Sequence, residues 1–198
     1  MRLVRIPLAL SFAVVALSMG GCLSVKSYVD PALPKVAYAD FQPKVTRPPV
    51  HLTLEFQTQG KPNPKATAQI RERVSTVLMA SQLFSSVVSE SRDNMDRLAI
   101  VMNNVGDLGS AVGKGIGTGL TFGLAGSMVT DGYVFVATYT PVGKLPVQKE
   151  YRHAIHTAIG VKAGPEGLTP MTVQQAVDKV VEELVLLLLR DLRYGEHL

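Results

Sequence analysis

A few groups of residues have the types, and nearly the spacing, that chemistry requires. Gly109-Ser110-Ala111-Val112-Gly113-Lys114-Gly115 imitates a phosphate-binding loop. That loop needs four residues between its first glycine and the Gly-Lys pair, then a hydroxyl to hold magnesium. Here one residue is missing and Gly115 stands where the hydroxyl should be, so the reading fails. His153 and His156 are three apart in an alternating segment and point to opposite faces of a strand. They cannot share a metal without a bulge. Asp93 and Asp96 read as turn residues without an EF-hand pattern, and Glu182-Glu183 as the solvated side of a helix. No G-x-S-x-G occurs, and no G-x-G-x-x-G opens a helix after a strand. Nothing brings an acid, a base and a nucleophile together. The expectation is a protein that is not an enzyme and uses no metal or cofactor.

Cys22, the only cysteine, carries a different chemistry. Arg2 and Arg5 precede a mostly apolar run from Ile6 to Met19, and Gly20-Gly21 follow it. Cations, a short apolar core and small residues before a boundary make a secretory signal peptide over 1–21. The run is shorter than the roughly 20 apolar residues of a membrane span. Gly20-Gly21-Cys22 resembles the lipobox of bacterial lipoproteins. That resemblance implies cleavage before Cys22 and acylation of its thiol and new amino group. The alternative is a plain signal peptide followed by an unmodified cysteine. Leu23-Ser24 lacks the aspartate that retains such proteins in the inner membrane, so the resemblance implies the outer membrane, facing the periplasm. A lone cysteine leaves no internal disulfide and no cysteine zinc cluster. Without the two signal arginines the net charge falls from +4 to about +2. No basic run with interleaved aromatics occurs, so no nucleic-acid partner is expected.

The elements around these residues follow from periodicity. Residues 22–49 hold Pro31, Pro34, Pro43, Pro48 and Pro49, a density that predicts an extended tether. Tyr28, Tyr38 and Phe41 give it the means to dock in part on the domain it leads to. That domain is expected over 50–198. Val50 to Gln57 alternates and predicts a half-buried strand. Asn63-Pro64 starts a helix, with Ile70, Val74, Val77 and Leu78 on its buried stripe. Leu83 to Ser89 and Arg97 to Val105 read as strands. Tyr133 to Thr140 and Val147 to Ile159 read as an antiparallel hairpin. Thr172 and Gln175 form a capping box for a last helix ended by Gly195. Its run Leu184 to Leu189 is wider than one stripe, which predicts either deep burial or a subunit contact. The fold class is α+β: a two-layer sandwich of an approximately five-stranded, mainly antiparallel sheet with two helices. The element order loosely resembles the TraT-type and the TolB-N-terminal or CsgG-like envelope lipoproteins.

A Gly-rich insertion, 106–132, interrupts that order. Leu108 to Thr130 holds seven glycines and one charge, Lys114. Gly109, Gly113 and Gly117 recur every four residues, as do Gly115, Gly119 and Gly123. On a helix this spacing makes a smooth face where two backbones approach closely. As a strand, Ile116, Leu120, Phe122 and Leu124 share one face and glycines the other. A loop lying over its own domain is the third shape. One membrane crossing is excluded, because the strands before and after the insertion belong to one domain. These residues are the candidate interaction site, for a second copy or another envelope protein. The functional expectation is a structural or interaction lipoprotein, membrane-bound through its lipid anchor. The alternative is a monomeric accessory subunit of an envelope transport or peptidoglycan-synthesis machine.

Overall fold

Val50–Thr58 forms a strand in which Val50, Leu52, Leu54 and Phe56 are buried and the residues between them turn outward, as the alternation predicts. It belongs to a computed structural model that describes residues 24–41, 48–106 and 127–198. The strands are β1 (Val25–Val29), β2 (Val50–Thr58), β3 (Lys61–Pro62), β4 (Val87–Val88), β5 (Asp96–Gly106), β6 (Ser127–Thr140) and β7 (Val147–Ile159). The helices are α1 (Pro64–Ala80) and α2 (Val173–Tyr194). The sheet order is β1-β7-β6-β5-β2-β3, with β4 also on β2. Both helices pack on one face, giving the expected two-layer α+β architecture. The pairing is mainly antiparallel; β2 runs parallel to β5 and β4 because α1 is a crossover between them.

The helix starts match their signals. Asn63 Oδ1 accepts from the Ala66 N–H at 3.1 Å, with Pro64 in the first turn. Thr172 and Gln175 close the reciprocal capping box. Leu184 through Leu189 are all buried, so the wide run is covered by the chain itself. The sheet and α1 cover one side; Phe41, Tyr38, Leu33, Val36 and Leu198 help cover the rest. Each fully buried aliphatic side chain contributes about 1.5–3 kcal/mol, so leaving the second side of α2 wet would be costly.

That requirement changes the picture of residues 22–49. In its described part the segment is not an extended lead. Val25–Val29 pairs antiparallel with β7, and Tyr38–Phe41 is a 3-10 turn with Phe41 buried. Arg193 Nη1 holds the turn by donating to the Asp40 carbonyl at 2.9 Å. The prolines fall between these contacts rather than preventing them. The sheet therefore has seven strands instead of about five. The insertion is shorter than 106–132: Gly106 ends β5, and Ser127–Gly132 pair with β7. Met128, Val129 and Thr130 suit a strand better than an excursion. Of Leu83–Ser89 only Val87–Val88 is strand, while Leu83 and Phe84 turn into the core.

Both sheet edges are partly covered. On β2, Arg71 of α1 donates to the carbonyls of Leu52 at 3.1 Å and Leu54 at 3.4 Å. On β1, Ser27 exchanges both backbone hydrogen bonds with Met171, each 2.9 Å. An unpaired edge templates association with another chain, and these contacts remove part of each template.

Candidate functional site

Cys22 and the insertion residues Gly109, Gly113, Gly115, Ile116, Gly117, Gly119, Leu120, Phe122, Gly123 and Leu124 lie outside the described residues. What the structure does describe is where the chain leads to them. The Ser24 carbonyl accepts from the Gly160 N–H at 2.8 Å, two residues after Cys22. Ser127, the first residue of β6, lies opposite Ile159 on β7. Val25 lies opposite the same Ile159 on its other side. Two inter-strand steps separate Val25 from Ser127, about 10 Å. The chain next to Cys22 and the chain leaving the insertion therefore meet at one end of the sheet.

Two histidine–carboxylate pairs lie farther along β7. His153 is buried, and its Nδ1 accepts the Ala154 N–H at 3.0 Å. The proton therefore sits on Nε2, which donates to Glu183 Oε2 at 2.7 Å. Lys179 Nζ stands 3.9 Å from the other Glu183 oxygen. On the opposite face, His156 contacts Asp30 Oδ2 through Nε2 at 3.2 Å and Thr130 Oγ1 through Nδ1 at 3.0 Å. The histidines do point to opposite faces, as their spacing requires. Glu183 is a correction: it reaches under the helix to the sheet instead of facing water. A cavity of about 140 Å³ beside it is also lined by Asp30, Lys35 and Lys179.

Glu182 is likewise engaged. It accepts from Arg73 Nη2 at 2.8 Å and so ties α2 to α1. Burial and the neighbouring Glu182 raise the Tyr38 hydroxyl from its usual 10.0 to about 12. Burial also raises Tyr133 to about 12, with the Asp131 charge adding to it. Tyr151 is raised further by burial and by its hydrogen bond to Asp191, 2.9 Å long. Asp96 is a second correction. It opens β5, is buried, and accepts from Tyr139 Oη and the Val142 N–H.

These groups hold layers together. Both ring nitrogens of each histidine have partners, so neither offers a lone pair to a substrate in this arrangement. Among the described residues, no buried side-chain nitrogen or oxygen lacks a hydrogen-bond partner. Among them too, no three His, Cys, Asp or Glu side chains are grouped to hold a metal. No described helix is long and apolar enough to cross a membrane. Sequence reasoning missed the Glu183 and Asp96 partnerships, because both depend on residues 30 or more positions away.

No family model matches this chain, and no curated protein matches it. Among solved structures, the rare lipoprotein B from Shewanella oneidensis aligns at 12% identity with a TM-score of 0.36. The alignment covers 72% of this chain and 95% of that one. A PelC dodecamer from Paraburkholderia phytofirmans aligns at 10% identity and TM-score 0.30, over 82% of this chain and 94% of that one. Likenesses at this level leave family and role unassigned.

Proposed function

We propose that the chain is a lipoprotein of the Gram-negative outer membrane, held by an acylated Cys22, its domain facing the periplasm. Its work is binding rather than catalysis. The observation that carries the reading is Ile6–Met19 followed by Gly20-Gly21-Cys22, three residues ahead of Val25, where a strand fixed in the sheet begins. Acyl chains anchor at about 0.8 kcal/mol per buried CH₂, and two or more make the attachment stable. The Gly-rich segment from Gly109 to Leu124 is the contact surface in this proposal, and a second copy is its partner. Glycines four apart, with Ile116, Leu120, Phe122 and Leu124 between them, suit close backbone packing.

Mass spectrometry of the purified N-terminus tests the anchor. An unmodified thiol, or a Cys22→Ala variant that still fractionates with membranes, sinks it. Cross-linking in membranes tests the contact: Gly117→Leu with Gly119→Leu should abolish an oligomer while the domain still melts cooperatively. A wild-type chain that never cross-links, and sizes as a monomer in mild detergent, refutes self-association.

A further inference from the structure

The end of the sheet nearest Cys22 differs from the rest of the surface. Val25 is 47% exposed and Val161, just past β7, is 81% exposed. Lys26 and Lys162 are exposed beside them. The loop from Gly160 to Pro170 carries one carboxylate, the exposed Glu166. This corner cannot swing away from the anchor. Ser24 is hydrogen-bonded to Gly160, and β1 is paired with β7 along its whole length. Two residues of chain reach about 7 Å at most. A lipid on Cys22 would thus bring Val25 and Val161 to the headgroup region. The opposite end, the hairpin tip with Leu145 at 86% exposure, lies the 13 residues of β7 away, about 40 Å.

We propose that this corner is a membrane-contacting surface: Val25 and Val161 enter the headgroup layer, and Lys26 and Lys162 bind phosphates of anionic lipid. It deepens the lipoprotein reading and rests on it. Apolar side chains flanked by lysines suit an interface that is apolar inside and negatively charged at its rim. The sheet then stands on its short end, and β6 and β7 run away from the membrane toward the tip.

The test uses the full mature lipidated protein, where an acylated Cys22 leaves no thiol to label. Val161→Cys and Leu145→Cys are made singly, both at exposed positions, and labelled with an environment-sensitive fluorophore. The proteins are reconstituted in vesicles of phosphatidylethanolamine and phosphatidylglycerol. The Val161 label should shift to the blue and be quenched by nitroxides on the acyl chains; the Leu145 label should be quenched only from water. Lys26→Glu with Lys162→Glu should weaken the lipid quenching of the Val161 label, and unchanged quenching would overturn the role of the lysines. If the protein stays on the vesicles but both labels report water, the contact surface is wrong and the anchor stands. If both labels are quenched by lipid, the domain lies flat and the proposal is overturned. If unmutated protein takes up label at Cys22, the lipoprotein reading falls and this proposal falls with it.

Discussion

Asp96 and Tyr139, 43 residues apart in the chain, meet at 2.5 Å at the hairpin end of the sheet. The carboxylate's other oxygen accepts from the Val142 N–H at 2.9 Å. One buried acid thus ties the start of β5 to the end of β6 and to the turn beyond it. Asp96→Ala removes the acceptor for both and should cost about 3 kcal/mol. Tyr139→Phe should cost about 1–2 kcal/mol, since it deletes one bond and keeps the ring. Urea melts of the two variants check the order; an Asp96→Ala midpoint equal to wild type would contradict it.

Gly164 lies over Tyr28, and a Cβ built there would fall 2.0 Å from the ring carbon bearing the hydroxyl. The ring is buried at the β1 edge, so it cannot simply step aside. Gly164→Ala should destabilise by about 1–3 kcal/mol. Combined with Tyr28→Val it should cost less than the two changes summed, because the clash disappears with the ring. A thermal melt series on the four proteins measures the difference.

Leu184 is fully buried in the seam between α2 and the sheet. An unpaired carboxylate at that position costs several kcal/mol, comparable to the whole stability of a domain. Leu184→Asp should therefore unfold the chain or prevent its accumulation. Circular dichroism of a purified Leu184→Asp protein with an unchanged melt would mean the helix is not docked there.

Tyr38, Tyr133 and Tyr151 have hydroxyls raised above the usual 10.0. A raised value means the folded state favours the protonated phenol. The stability linked to it is complete below pH 10 and is lost as pH rises through about 12. Stability should decline progressively over that range. Tyr133→Phe should flatten part of the decline, since Tyr133 is nearly inaccessible to water. Denaturant melts across alkaline pH, followed by tyrosinate absorbance, give the comparison.

Much of the fold was legible because its signals are local. Asn63-Pro64, the Thr172–Gln175 box and the alternation of Val50 to Gln57 each act within a few residues, and each appears where expected. β1 was not legible. It is five residues long, and its partner lies 130 positions away, so no window of sequence contains both. The prolines that follow it, Pro31 and Pro34, suggested an extended tether, whereas the need to cover the second side of α2 decides the outcome. Glu183 looked like a solvated residue because the helix pattern does not show that a buried His153 awaits it. The two features with the sharpest sequence signals, Cys22 and the glycine repeat, fall outside the described residues.

The pairing of β1 with β7 also dictates an order of events. Ser27 and Thr157 are 130 residues apart, and closing a loop of that length costs about 2.5–3 kcal/mol in chain entropy beyond a short hairpin loop. The hairpin of β6 and β7 closes a far shorter loop and can form first. β1 has no docking site until β7, which ends at Ile159, is in place, although it precedes every other strand in the chain. The strand nearest Cys22 is thus among the last to be placed. Until then the β7 edge it will occupy is open, and a chain stalled at that stage would be exposed to strand exchange with its neighbours.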